Sequence, residues 1–139
     1  MGREREVTLI HQILCKKGDQ QSRLEHEVYH QIDHVLTAML LDLDNFCYSE
    51  FAKRILVTSA VRTKEENKAV GGVEWSGHLY GRAVDIRSWT FKPDQIKAIE
   101  KYLKDVWGGW IYFKHHDTGQ GVHIHLGIPY KYRHKERLV

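Results

Sequence analysis

The stretch from Ser76 to Ile86 constrains the fold of this chain most, because it places a charged residue within an apolar strand. It reads Ser-Gly-His-Leu-Tyr-Gly-Arg-Ala-Val-Asp-Ile. The residues from Ala83 onward are typical of a short strand, whose side chains alternate between two faces. Asp85 therefore points away from its neighbours Val84 and Ile86. A buried carboxylate is costly unless an ion pair or a metal compensates its charge, so the fold must bring Asp85 a partner.

Two kinds of partner are available to this aspartate. The first is a structural ion pair with a nearby arginine, for which the candidates are Arg62, Arg82 and Arg87. The second is a metal ion shared with His78, because Gly81 lets the backbone fold back between His78 and Asp85. Catalytic zinc takes three protein ligands from His, Asp, Glu and Cys and keeps one position for water. This stretch alone leaves both alternatives open.

A second stretch supplies two more imidazoles. His123 and His125 stand two apart on a predicted strand, so both side chains share one face, while Ile124 and Leu126 point to the core. Taken alone, this pattern is typical of a surface face with two exposed histidines. Its occurrence together with the histidine and aspartate of the first stretch favours a shared zinc site.

Together the two stretches contain Ser76-x-His78-x-x-Gly81-x-Ala83-x-Asp85 followed by His123-x-His125. This pattern resembles that of the zinc D-alanyl-D-alanine peptidases, whose wider group includes lysostaphin-type endopeptidases, phage endolysins and the hedgehog signalling domain. The segment from Thr58 to Thr63 is similar to the strand and arginine that precede the first ligand in that family. The resemblance covers roughly residues 50–128. It implies an α+β fold whose small, mostly antiparallel sheet carries the metal site and is flanked by helices.

The resemblance also implies a Zn²⁺ cofactor and a role for each matching residue. The three metal ligands would be His78, Asp85 and His125. His123 would lie beside the metal and stabilise the transition state, although some relatives bind zinc through the first residue of this pair, so the two histidines could exchange roles. Arg62 would hold a substrate carboxylate or carbonyl through its bidentate fork. Ser76 would lie at the wall of the cleft.

The chain departs from the family pattern at the general base. Many relatives carry Glu or Asp three residues before the last ligand, where this chain has Val122. The nearest upstream carboxylate is Asp117, which follows His115 and His116 in a predicted hairpin loop. A proton must still reach the leaving amine, and we expect His123 or Asp117 to carry it. If neither does, the chain would be a non-catalytic, zinc-stabilised binding domain.

A competing metal motif lies earlier in the chain. His26-Glu27-Val28-Tyr29-His30 matches HExxH, in which two helical histidines bind zinc and the glutamate acts as base. The extended form of that motif needs a glycine and a third histidine that are absent here. His26, His30 and His34 recur every four residues beside the apolar stripe, as expected for a polar helix face. The HExxH alternative is therefore the weaker one.

The length of the chain predicts one domain over residues 1–139, with a helical lead-in to about residue 45, a metal-site core at about 50–128 and a basic tail at 129–139. Residues 4–16 predict a short helix, with a strand as the alternative. Ser22 and Glu25 form a potential capping box that predicts a helix from Arg23 to about Asp42. The remaining predictions are strands at 55–59, 83–87, 110–113 and 122–128, and helices at 63–69 and from Pro93 to the glycines at 108 and 109.

Composition narrows the class of protein. Charged residues make up 28% and hydrophobic residues 42%, which indicates a globular domain. Cys15 and Cys47 form no disulfide framework and are interpreted as packing residues. The net charge of +3 is modest. The chain has one basic cluster, the tail, which is interpreted as a solvated segment, with a polyanion-binding surface as the alternative. We therefore expect a monomer with no nucleic-acid partner.

The N-terminus carries acidic residues where a signal peptide carries bases, and no long apolar run is present. We expect synthesis in the cytoplasm and no membrane partner. The resemblance further implies a zinc metallopeptidase that hydrolyses peptide bonds of bacterial cell-wall peptidoglycan, as a D-alanyl-D-alanine carboxypeptidase or an endolysin-type endopeptidase. Phage-encoded release at lysis and cytoplasmic trimming of precursors both suit these features. The bond that is cut is not determined by the sequence.

Overall fold

The computed structural model describes residues 12–74, 76–117 and 122–129, with only the backbone at position 117. Helices and strands alternate irregularly along this part of the chain. The helices are α1 (Gln21–His26), α2 (His34–Phe51), α3 (Lys64–Ala69) and α4 (Pro93–Trp107), with a π turn at Glu27–Gln31 and 3₁₀ turns at Gly77–Tyr80 and Gly108–Trp110. The strands are β1 (Leu14–Cys15), β2 (Leu56–Ser59), β3 (Ala83–Arg87), β4 (Tyr112–Asp117) and β5 (Val122–Gly127).

The five described strands form one sheet in the order β1-β2-β3-β5-β4. The pairs β2–β3, β3–β5 and β5–β4 are antiparallel, and β1 runs parallel to β2. The predicted α+β class is therefore confirmed, with a sheet that is mixed because β1 enters it in parallel. The two strands that carry the predicted ligands, β3 and β5, are neighbours at the centre of this sheet.

One face of the sheet packs against the helices. Val84, Ile86, Ile124 and Leu126 are fully buried, as the strand alternation predicts. They belong to one hydrophobic cluster with the apolar faces of α2 and α4 and with residues of β1 and β2. Each fully buried aliphatic side chain contributes roughly 1.5–3 kcal/mol relative to an exposed one. The core thus fixes β3 and β5 rigidly and leaves their opposite face open.

The predicted continuous helix from Arg23 to Asp42 is wrong. The chain widens into the π turn after α1, becomes extended at Ile32 and starts a new helix, α2, that runs to Phe51. Asp33 causes the break, because its side chain accepts a hydrogen bond from the Val35 amide and its own amide donates to the Gly81 carbonyl. The predicted Ser22 cap is also wrong, since α1 begins at Gln21.

The short helix predicted at residues 4–16 is wrong where the structure describes it, because residues 14 and 15 pair with β2 as a strand. The strand that the sequence offered as the alternative is confirmed at these two residues. Both cysteines are buried and free, as predicted, and burial raises the pKa of Cys15 to about 11 and of Cys47 to about 12. The basic tail lies outside the described residues apart from its first residue, Pro129.

The remaining predicted elements are confirmed with small shifts. Thr63 and Glu66 form the predicted reciprocal capping box of α3, and Pro93 is the first residue of α4. β4 begins at Tyr112 and runs to Asp117, so the hairpin loop predicted from Lys114 to Gly121 is wrong at residues 114–117, and the rest of that loop lies outside the described residues. None of the helices in the described part of the chain has the length and apolar character needed to cross a membrane.

Candidate metal centre

The open face of β3, β5 and β4 gathers the candidate residues. Directly opposite residues of paired strands share a face, and the register pairs Asp85 with His125 and Arg87 with His123. On the other side of β5, Lys114 lies opposite His125 and His116 opposite His123. We call these positions the histidine face, and its members are Asp85, Arg87, Lys114, His116, His123 and His125.

Three potential metal ligands converge at the centre of this face. His78, Asp85 and His125 each offer one ligand atom, and these atoms all lie within 4.8 Å of one another. Asp85 Oδ1 lies 3.2 Å from His78 Nε2 and 3.1 Å from His125 Nδ1. This is the ligand set that the resemblance implies, and it is the only such group among the described residues.

A 3₁₀ turn presents His78 from above the sheet. The Ser76 side chain caps this turn by accepting from the His78 amide, and Gly81 ends it with a left-handed φ of 69°. His78 Nδ1 lies 2.6 Å from the carbonyl oxygen of Ala60, an acceptor only, so Nδ1 carries the proton. Nε2 therefore points at Asp85 Oδ1, and a metal ion bound there would take the place of the proton that Nε2 shares with the carboxylate.

The charge states of the site also suit a metal ion. Burial would raise the pKa of Asp85, but hydrogen bonds with His125 and His78 outweigh it, so the pKa lies well below its usual range. Burial lowers the pKa of His125. To bind a metal ion, an aspartate must be ionised and a histidine must be neutral. One ionised oxygen donor and two imidazole nitrogens form a set that zinc accepts, so the residues present fit this ion.

Arg62 binds the second oxygen of the same carboxylate. Its guanidinium lies 3.0 Å from Asp85 Oδ2 and 3.4 Å from Asn67 Oδ1, and the side chain is 18% exposed. The structural ion pair that the sequence offered as the alternative to a metal site is therefore present, and the ligand cluster is present beside it. The two alternatives are compatible because they use different oxygens. A role of Arg62 toward substrate stays a prediction.

The second histidine of β5 lies at the edge of the ligand cluster. His123 Nε2 is 3.5 Å from Asp85 Oδ1, outside the group of three that converge. This placement supports His125 as the ligand and His123 as the neighbouring imidazole. Asp117 ends β4, where its backbone pairs with Val122. The Asp117 side chain is outside the described part of the structure, so its catalytic role stays a prediction.

Sequence reasoning missed His116 as a candidate. Its ring centroid lies 4.8 Å from that of His123 and 5.9 Å from that of His125. Its Nε2 atom is buried and has no hydrogen-bond partner in the described part of the chain. Burial lowers the pKa of His116, as do His123 and His125 when they carry charge. A sequence signal for His116 did exist. If the predicted strand is extended beyond Phe113, strand alternation places residues 114 and 116 on the same face.

The competing HExxH motif has a structural role instead. The Glu27 side chain is buried, accepts from the Val61 amide at 3.0 Å and forms an ion pair with Arg23 at 2.6 Å. Its oxygens therefore stabilise the end of β2 rather than activating a water. His26 and His30 are exposed and belong to no ligand group among the described residues.

A cleft of about 1330 Å³ lies over the histidine face. Ser76 and Arg62 line it together with the three candidate ligands, and their roles as a site wall and a substrate contact stay predictions. Gly127 on β5 also lines the cleft, and an added Cβ there would lie 3.1 Å from the Arg82 carbonyl oxygen. A cleft of this size admits several residues of an extended peptide.

Comparison with known proteins agrees with this geometry. A family model described as Peptidase M15 matches residues 11–126, which include every candidate ligand and all of the described strands except the last residue of β5, Gly127. No curated protein and no solved structure gives a significant match. The match covers more than half of the chain, and the ligand cluster lies within it, so this chain belongs to the Peptidase M15 family of zinc metallopeptidases.

Proposed function

We propose that this chain hydrolyses peptide bonds in bacterial cell-wall peptidoglycan, as a carboxypeptidase or an endolysin-type endopeptidase. The observation that carries the proposal is the convergence of His78, Asp85 and His125 at the floor of an open cleft. These three residues would hold Zn²⁺. When bound, zinc polarises a carbonyl and lowers the pKa of a coordinated water towards about 7.

The protein residues around the ligands prepare this chemistry. The Ala60 carbonyl keeps the proton of His78 on Nδ1, so Nε2 stays free for the metal. Arg62 holds Asp85 Oδ2 and leaves Oδ1 among the imidazole nitrogens. A guanidinium has five N–H donors, and two described contacts leave donors for a substrate carbonyl or carboxylate. Arg62 would thereby both orient Asp85 and bind the substrate.

Proton transfer is assigned to the imidazoles on the side of the cleft away from His78. His123 lies 3.5 Å from Asp85 Oδ1. His116 packs against it and has a buried Nε2 atom without a partner among the described residues. A positioned imidazole contributes typically about 10²–10⁴-fold to a reaction that needs proton transfer. We propose that His123 passes a proton from the attacking water to the leaving amine and that His116, whose ring contacts the His123 ring, positions it.

The biological setting proposed for this activity follows from the substrate. An enzyme released to the wall at lysis, encoded by a phage, would cut mature peptidoglycan. A cytoplasmic enzyme would trim soluble precursors. The two settings differ in the form of the substrate. Activity on intact sacculi would favour release at lysis, and activity on free stem peptides alone would favour the trimming of precursors.

The test is release of free amines and of D-alanine from purified peptidoglycan, with and without a chelator. Chelator-sensitive release that zinc restores is expected. Asp85→Ala should abolish both bound zinc and release, because it removes a ligand and leaves Arg62 without its partner. The matched control replaces His26 and His30 together with Ala and should keep both. Full activity of Asp85→Ala, or loss of zinc only in the control, would refute the assignment.

A non-catalytic zinc-binding domain is the second candidate. The observation that favours it is Val122, which is half exposed at the position where many relatives carry a carboxylate base. Stoichiometric zinc without chelator-sensitive release from any type of peptidoglycan would support this candidate.

A further inference from the structure

The cleft over the histidine face is unevenly charged. Among the described residues that line it, the cationic side chains are Lys16, Arg62, Arg82, Arg87 and Lys114, and the single carboxylate is Asp85. The formal net charge of the whole chain is only +3. Asp85 is already engaged by Arg62 and by two histidines. Arg82 is also paired, with Asp33 at 3.7 Å. The charge that a bound anion would meet therefore comes from Lys16, Arg87 and Lys114, and such a cleft attracts anions.

Two of these cations stand on the histidine face itself and have no carboxylate partner in the described structure. Arg87 lies across from His123, and Lys114 lies across from His125, so they flank the ligand cluster on two sides. Other basic residues of the chain are engaged in ion pairs, for example Arg23 with Glu66 and Arg54 with Asp44. Neither of the two cleft cations is neutralised by a carboxylate in the described part of the chain.

Trp89 holds Arg87 in place at one end of the cleft. The Arg87 guanidinium carbon lies 4.8 Å from the centroid of the Trp89 ring, which is 74% exposed. A cation–π contact of this kind restrains the guanidinium while its N–H donors stay available at the edge. An exposed tryptophan at a cleft rim also offers a flat apolar surface to a bound chain.

The spacing along β3 relates Arg87 to the ligand cluster. Arg87 and Asp85 are two residues apart on one face, which separates them by about 6.6–6.8 Å along the strand. An extended peptide bound over the cleft has the same repeat. A substrate carboxylate one or two residues from the scissile bond would therefore reach Arg87 while the carbonyl reaches the ligand cluster.

We propose that Arg87, supported by Trp89 and assisted by Lys114, is a specificity residue that binds a substrate carboxylate, so that the preferred substrate is an acidic peptide. This inference rests on the proposed function and adds the substrate class. Arg87 contacts no candidate ligand in the metal cluster, so its contribution lies in binding and not in the bond-breaking step.

The experiment compares two probes that differ in one group. The first is a stem pentapeptide, L-Ala–D-Glu–L-Lys–D-Ala–D-Ala, with a free glutamate α-carboxylate. The second has a carboxamide at that position. Equilibrium binding to the zinc-loaded full chain is measured by calorimetry, and cleavage is measured separately by mass spectrometry. The free acid should bind about tenfold more tightly, the gain expected of one charge-assisted pair at a partly exposed site.

Arg87→Gln should bind both probes equally, and Arg87→Lys should restore part of the preference. In cleavage, Arg87→Gln should raise KM about tenfold for the acidic probe and leave kcat unchanged, the pattern of a contact made equally in ground and transition states. Lys97→Gln, an exposed change on α4 away from the cleft, is the charge-matched control and should retain the full preference.

The outcomes separate this inference from the proposed function. Charge-selective binding without cleavage of either probe would support the acidic ligand and refute the peptidase. Cleavage without preference for the acid, or a preference that survives Arg87→Gln, would refute the role of Arg87 and leave the peptidase standing. Absence of binding to both probes would overturn the inference.

Discussion

At the scale of single residues, the site is organised around one carboxylate oxygen. Asp85 Oδ1 has three imidazole nitrogens within 3.5 Å, from His78, His125 and His123. Such an arrangement of donors around one anionic oxygen, with Arg62 on the other oxygen, leaves the carboxylate ionised. The two candidate ligand histidines and the histidine proposed for proton transfer therefore surround the same oxygen atom.

His116 gives the prediction that belongs to this scale. His116→Ala should lower kcat by about a hundredfold, because it removes the imidazole that packs against His123, and should leave zinc content unchanged. His115→Ala is the matched control, since His115 is the exposed neighbour on the same strand, and it should keep wild-type activity. Zinc analysis and steady-state kinetics provide the measurements. Loss of zinc in His116→Ala would instead identify His116 as a ligand.

At the scale of elements, the turn that presents His78 is fitted against the break between α1 and α2. Gly81 ends this turn in a left-handed conformation, and its carbonyl accepts from the Asp33 amide. An added Cβ at Gly81 would lie 2.7 Å from the Gln31 carbonyl oxygen. The helix break and the metal-binding turn therefore form one packing unit, in which each determines the position of the other.

Gly81→Ala should consequently lower the free energy of unfolding by about 2–4 kcal/mol, because backbone strain and a backbone clash add together. Gly71→Ala is the control. Gly71 has a similar φ of 72° but no atom within 4 Å of an added Cβ, so strain alone should cost about 1 kcal/mol. Urea unfolding measures both. Equal losses in the two variants would show that the contact with Gln31 is unimportant.

The link between α1 and α3 predicts a pH dependence. Arg23 bonds both oxygens of Glu66, and hydrogen bonding from Arg23, aided by the Thr63 amide, lowers the pKa of Glu66 to about 2. A carboxyl with a depressed folded pKa stabilises the fold above its unfolded pKa of about 4.3 and loses that stabilisation as the pH falls to its folded value.

Glu66→Gln keeps a capping-box side chain but removes the charge. At pH 7 it should lower the free energy of unfolding by about 1 kcal/mol, since both partners are 41% exposed and solvent screens the pair. The difference from wild type should shrink between pH 4.3 and pH 2. Thermal unfolding across this range tests it. Glu65→Gln, an exposed change in the same helix turn, should show no such difference at any pH.

At the scale of the whole molecule, the sheet divides the protein into a packed side and an open side. Val84 and Ile124 are buried against the helices, and Asp85 and His125 face the cleft from the same strands. The proposed metal therefore binds only when β3, β5 and the His78 turn are assembled. Binding that requires the assembled fold stabilises that fold.

Zinc at a free concentration of a hundred times its Kd should add about 2.7 kcal/mol to the free energy of unfolding and raise Tm by roughly 5–10 °C. A chelator should reverse the shift. His78→Ala should abolish it, because one ligand of three is lost. Differential scanning calorimetry with and without zinc provides the measurement. A zinc-induced shift that persists in His78→Ala would place the metal elsewhere.

Features that depend on a few adjacent residues were predictable. The capping box of Thr63 and Glu66 and the start of α4 at Pro93 follow from contacts within one helical turn. The alternation of β3 and β5 was equally local, and it placed the candidate ligands and the core residues on opposite faces. The sequence by itself therefore determined the α+β class, the faces of the central strands and the set of ligand types.

The tertiary structure alone decided the features that depend on residues far apart in the chain. The break at Asp33 needs the carbonyl of Gly81, and no periodicity within the lead-in records that partner. The placement of His116 needs the register of β4 on β5. Asp85 shares its charge between Arg62 and the histidines because folding brings three separate segments to its two oxygens. Hydrogen bonds and ion pairs between distant segments have no local signature, which is why only the assembled fold revealed them.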